Sequence, residues 1–181
     1  MTATEETASA TGRAPLRLAL YHPDIPQNTG TIIRMAACLG VAVDIVEPAA
    51  FDVSDRHFRR SGMDYLERAT VTRHASFAAF ERWRRGSGHR LILAETDGQT
   101  RHLDFAFAPG DIVMLGRESA GVAPEVYAAA DAVVHVPMLA GLRSLNVAIA
   151  GALVLGEALR QIGGFPAPLR ADDHERQDQT G

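Results

Sequence analysis

The chain has no lysine: all 18 of its basic residues are arginine, a bias that reflects genome composition more than function. It has one cysteine, Cys38, which excludes an intrachain disulfide. Cys38 falls within a helical apolar pattern and is expected to be a small core residue. With no disulfide to protect, the cytoplasm is the natural compartment. No apolar run approaches the ~18 residues of a membrane-spanning helix. Met1–Ala14 is rich in Thr, Ala and Glu and lacks an apolar h-region, so a secretory signal is not expected. There is no GxGxxG and no Gly-rich phosphate loop, so nucleotide-triphosphate and dinucleotide readings lose support. The seven histidines are scattered without metal-ligand spacing, and no metal is expected. A net charge of −4 gives no global argument for nucleic acid binding. The charge is uneven, however. The stretches 1–14 and 168–181 hold six acids against three arginines, so the chain between them is closer to neutral. Within it, Arg56, Arg59, Arg60, Arg68 and Arg73 cluster, as do Arg82, Arg84, Arg85 and Arg90. Local patches of this kind matter more than the sum, although a solvated helix face gives the same pattern.

What is present is an alternation of short apolar runs with helical patterns. Strands are expected at 17–21, 41–46, 69–73, 90–94, 111–115 and 132–136. A helix capped by Asn28 or Thr29 should run to about Leu39, with Ile32, Ile33, Ala36 and Ala37 on one face and Gly40 ending it. A short helix is expected over Asp55–Arg60, an amphipathic one over Phe77–Arg85, and a long, small-residue-rich one over Ser144–Ile162. This implies an α/β domain with a mostly parallel sheet and helices on both faces. Residues 1–14 read as a disordered leader, 15–165 as the domain and 166–181 as a polar tail.

Three loops carry chemistry. Asn28-Thr-Gly-Thr-Ile-Ile-Arg34 follows the first strand, where free helix N–H groups can face an anion; Arg34, nearly two turns along, can project beside it. Gly116-Arg-Glu118 follows the fifth expected strand, and Gly116 permits close approach to the backbone. Val136-Pro-Met138 leads through Arg143-Ser-Leu-Asn146 into the last helix, with Ser144 as the expected N-cap and Asn146 in the first turn. Each has a bland reading as a cap, a turn or a surface arginine. His22, at the end of the first strand, fits a site or a surface loop.

Taken together and in order, these segments resemble the SPOUT superfamily of RNA methyltransferases. More narrowly, they resemble the small tRNA 2′-O-ribose methyltransferases that modify the wobble nucleotide. The segments that carry the resemblance also include Val46-Glu-Pro48 and Arg59-Arg-Ser-Gly-Met-Asp-Tyr65, and it spans roughly residues 16–165. It implies a C-terminal trefoil knot, a homodimer, and S-adenosylmethionine as cofactor. Contacts to that cofactor would fall at Ala94, Gly116, Val136, Met138 and Ser144. It also implies a tRNA anticodon stem-loop as partner, held in part by Arg56, Arg59 and Arg60. Arg34, Asn28, Glu118, Ser144 and Asn146 would form the catalytic set. The implied reaction is in-line attack of a ribose 2′-oxygen on the sulfonium methyl. The resemblance gives Arg34 the role of base; a guanidinium pKa of roughly 12 or above also allows it to position a phosphate while another group takes the proton. Departures from the pattern are Arg117 where a proline is common, the additional Ala123, and Gly156 where an aromatic is common. Methylation of another tRNA position or of rRNA, and a non-catalytic RNA-binding protein on the same fold, are the alternatives.

Overall fold

The strands are apolar almost throughout because both of their faces are covered. The computed structural model describes residues 16–51 and 65–167. Strands β1 (Arg17–Tyr21), β2 (Ala42–Val46), β3 (Val71–His74), β4 (Leu91–Ala94), β5 (Thr100–Arg101), β6 (Ile112–Leu115) and β7 (Ala132–His135) form one sheet. Their order is β3-β2-β1-β6-β4-β7-β5, and every neighbouring pair is parallel. The helices are α1 (Pro26–Leu39), α2 (Tyr65–Arg68), α3 (Phe77–Ser87), α4 (Pro124–Ala129) and α5 (Val147–Ile162).

Side chains alternate between two cores with the strand period of two. Leu18, Leu20, Ile92, Val113 and Leu115 face one core with Ile32 and Ile33 of α1 and Val154 and Leu155 of α5. Ala19, Tyr21, Leu91, Leu93, Ile112 and Met114 face the other with Phe77 and Phe80 of α3 and Val126 of α4. Each such aliphatic or aromatic side chain contributes ~1.5–3 kcal/mol on burial, so both faces hold the sheet in register. One charge lies within it. Asp44 on β2 is fully buried and accepts from Arg17 Nε on β1 at 2.7 Å, with His74 Nε2 of β3 at 2.8 Å. A buried carboxylate requires such partners, and here they tie three strands together.

Several expectations are corrected. Cys38 is exposed, on the outer face of α1. Helix α1 starts before Asn28: Ile25 is its N-cap without a side-chain bond, and Pro26 opens the helix with its preset φ. Helix α5 is capped by Asn146 rather than Ser144, because the Asn146 side chain accepts from the N–H groups of Ala148 and Ile149. Strand β5 is two residues long and α4 six, both too short to leave a periodic signal. The second arginine cluster is largely neutralised within the fold. Arg84 is buried on Glu81 and Asp131, Arg85 pairs with Glu81, and Arg90 with Asp111. The expected leader, the helix over Asp55–Arg60 with Arg56, Arg59 and Arg60, and nearly all of the polar tail lie outside the described residues. No helix among the described residues is long and apolar enough to cross a membrane.

Candidate active site

The strand order reverses between β1 and β6. From β1 the chain runs outward through β2 and β3; β6, β4, β7 and β5 lie on the other side. The crevice beyond the carboxyl ends of strands at such a switch is where open α/β sheets bind ligands. The loops that follow β1, β6 and β7 are the three singled out above, and the turn after β4 lies beside them.

The loops after β4, β6 and β7, with the start of α5, line a cavity of about 340 Å³. Ala94 at the end of β4, Gly116 at the end of β6, and Val136, Met138 and Ser144 beyond β7 all line it. So do Glu95, Thr96 and Arg143, which the sequence reading did not assign. Glu95 had a visible signal, since it is the residue directly following a strand end. Its Oε1 is buried without a hydrogen-bond partner. Burial, then the neighbouring Asp97 charge, pushes its carboxyl above the usual range, against an opposing Thr96 N–H. The Gly116 backbone lies so close that a Cβ there would come within 2.3 Å of that oxygen.

Beside the cavity, three loops are joined by side chains. Asn146 Nδ2 donates to Asn28 Oδ1 at 3.0 Å, and Asn28 Nδ2 donates to Glu118 Oε2. The Asp24 carboxylate accepts from the backbone N–H groups of Glu118 at 3.3 Å and Ser119 at 3.2 Å. Burial raises the Asp24 pKa, but the Ser119 hydroxyl and these N–H groups outweigh it, so the group is held below its ordinary value. The network thus brings Asn28, Glu118 and Asn146 together and leaves the amide and carboxylate ends exposed to solvent. Ser144 is in the cavity wall, two residues before the cap. Arg34 stands on the exposed side of α1, with its guanidinium 4.7 Å over the ring of Tyr65. That contact joins the first motif to the last residue of the Arg59–Tyr65 segment. His22 adopts φ 47° and stacks on Tyr21 with ring centroids 3.8 Å apart. Burial, then the Arg117 charge, lowers its pKa and favours the neutral ring.

Residues 15–156 match the SpoU rRNA Methylase family. The chain belongs to that family. It is 62% identical over 150 residues to a tRNA (cytidine(34)-2'-O)-methyltransferase of Ancylobacter novellus, covering 83% of this chain and 95% of the relative. The enzyme of the same name from Escherichia coli is 38% identical, covering 86% and 99%. A solved structure described as giving insight into 2-OH methylation of C/U34 on tRNA superposes with a TM-score of 0.78 at 36% identity, covering 84% of this chain and 99% of that one. The SpoU methyltransferase AviRb of Streptomyces viridochromogenes, solved with AdoMet, superposes at 0.76 and 30% identity, covering 84% and 62%. For a SpoU methylase the placement of the cavity matters: it lies in the C-terminal half of the matched region, while Arg34 and Asn28 come from its start.

Proposed function

We propose that this chain transfers a methyl group from S-adenosylmethionine to the ribose 2′-hydroxyl of the wobble nucleotide, cytidine or modified uridine, in tRNA anticodons. The observation that carries the reading is the junction of the cavity with the Asn28–Glu118–Asn146 network at the strand switch. The relatives' shared activity on cytidine 34 supports the choice of substrate.

The cavity fits the cofactor on two counts. Its volume is in the range of ligand sites, and its wall mixes apolar side chains with an unpaired acceptor, Glu95 Oε1. Ala94, Gly116, Val136, Met138 and Ser144 would hold the cofactor, which when bound supplies an electrophilic methyl on sulfonium. The chain's own task is alignment of the attacking ribose, worth several kcal/mol when the geometry is fixed in advance. Asn146, locked by its capping bonds, fixes Asn28, and Asn28 fixes Glu118. Arg34 positions a substrate phosphate through its forked N–H donors. Tyr65 holds that guanidinium on the outer side of α1. Arg56, Arg59 and Arg60 add salt-sensitive contacts to the anticodon-stem backbone.

The same reading takes residues 15–165 as the methyltransferase domain, its C-terminal part as a trefoil knot, and the working form as a homodimer in the cytoplasm. Support for the dimer comes from Leu142, Leu145, Ile149 and Leu153, large apolar side chains exposed on and just before α5. Incubation with radiolabelled S-adenosylmethionine and total tRNA from a strain lacking the enzyme tests the function. Label on the ribose of a wobble pyrimidine is expected. Label at another tRNA position or on rRNA would move the substrate, and absence of label in the presence of cofactor binding would remove the catalytic reading.

A further inference from the structure

Glu95 has no part in the motifs by which the family is recognised, yet among the described residues its Oε1 is the buried, unpaired acceptor in the cavity wall, beside the unpaired donor Arg117 Nε. Three observations bear on it. It follows Ala94 directly at the end of β4, the strand between β6 and β7, so its side chain enters where the expected cofactor contacts converge. Its Oε1 is buried and unpartnered, an unfavourable state if nothing ever fills it. It also rests against two backbone positions that lack a Cβ. A Cβ at Gly116 would stand 2.3 Å from Oε1, and one at Gly121 would stand 3.2 Å away. Oε1 therefore fills the space over Gly116, and a ligand approaching that backbone packs against the Glu95 carboxyl.

Building on the cofactor reading above, we propose that the Glu95 carboxylate accepts hydrogen bonds from the ribose diol of S-adenosylmethionine. A carboxylate offers two acceptor oxygens with several lone-pair sites, which matches two vicinal O–H donors. The recess suits a neutral diol better than the charged methionine end. Arg143 is exposed on the segment leading to α5, where solvent and its guanidinium can serve the cofactor's carboxylate. Oε1 sits away from water against backbone. Burial first and then the Asp97 charge raise the carboxyl pKa, and neither Arg117 nor Arg143 of the same cavity wall is paired with it. Tyr127 also serves this corner: its hydroxyl donates to Asp97 Oδ1 at 2.8 Å, which holds the second acid away from the cavity.

The test is isothermal titration of wild type, Glu95→Gln and Glu95→Ala with three probes. These are S-adenosylhomocysteine, its 3′-deoxyribose analogue, and its analogue lacking the α-amino group. Wild type should bind S-adenosylhomocysteine and lose about tenfold with the 3′-deoxy probe, the scale of one hydrogen bond to a charged group. Glu95→Ala should bind S-adenosylhomocysteine about tenfold more weakly and no longer distinguish the 3′-deoxy probe. Glu95→Gln, which keeps an acceptor oxygen and the shape, should fall between them. Undiminished discrimination of the 3′-deoxy probe by Glu95→Ala overturns the assignment and leaves the cofactor reading standing. Loss of discrimination against the des-amino probe instead overturns it in favour of an ammonium contact. Failure of wild type to bind S-adenosylhomocysteine at all overturns both.

Discussion

Replacing Asn146 by aspartate should keep the fold and weaken the reaction, because the two ends of this side chain do different work. The oxygen accepts from Ala148 N at 2.9 Å and Ile149 N at 3.3 Å and so caps α5. The nitrogen donates to Asn28 at 3.0 Å and so holds the network. Aspartate is as good a cap as asparagine, and a negative charge at a helix N-terminus adds ~0.3–1 kcal/mol. Glu118, one link away through Asn28, opposes that gain. The stability of Asn146→Asp should therefore stay within about 0.5 kcal/mol of wild type. Asn146→Ala loses the cap, about 1 kcal/mol, or roughly 2–4 °C in Tm for a chain of this size. For the reaction the two variants converge. Both remove the donor to Asn28, a bond worth ~0.5–1.5 kcal/mol. If that is felt fully in the transition state, kcat falls about two- to tenfold. Thermal unfolding and labelled-methyl transfer, measured side by side, give the four numbers required. An Asn146→Asp variant with full transfer would show that the network orients nothing. An Asn146→Asp variant that melts as early as Asn146→Ala would show that the oxygen does not cap the helix.

Three further outcomes are expected. Arg34→Ala should abolish methyl transfer while cofactor affinity, read by calorimetry, stays within about twofold, since Arg34 stands on the outer side of α1 over Tyr65; near-wild-type transfer would take it out of the mechanism. Gly151→Ala places a Cβ 2.6 Å from Leu115 Cδ1 in the core, so overpacking of ~1–3 kcal/mol should exceed the ~1 kcal/mol gained in helix propensity, and urea unfolding should show a net loss. Asp24→Asn should destabilise the chain by ~0.5–1 kcal/mol at neutral pH. Because the folded carboxyl sits below its unfolded value of ~3.9, its contribution is present above that pH and is lost as pH falls through the lower folded pKa. A destabilisation that persisted unchanged at pH 2 would contradict the assignment.

The sheet was legible because its strands are buried on both faces and so read as uninterrupted apolar runs: Leu91–Ala94 and Ile112–Leu115 are examples. Their spatial order was not legible, since the insertion of β6 between β1 and β4 depends on long-range pairing that no local pattern encodes. Helix boundaries failed where capping chemistry was ambiguous. Ser144 and Asn146 are both good caps, and packing of Val147 onward chose the second. Asn28 reads as a cap but lies one turn inside, because Pro26 starts the helix earlier. Of the candidate site, the residues in ordered motifs could be found together, whereas Glu95, visible only as the residue after a strand end, could not be given a role. Its significance arises only when Gly116 and Gly121, distant in the chain, close around its oxygen. Arg84 shows the reverse error: an arginine-rich helix resembled a basic patch, and the fold turned its central guanidinium inward onto Glu81 and Asp131.

The most direct measurement is methyl transfer to two synthetic tRNAs identical except that one carries a 2′-deoxyribose at the wobble nucleotide. The account predicts incorporation of one methyl group in the ribose substrate, located at that nucleotide by nuclease digestion and mass spectrometry, and none in the deoxy substrate. Equal incorporation into both would place the methyl elsewhere and contradict a 2′-oxygen acceptor at the wobble position.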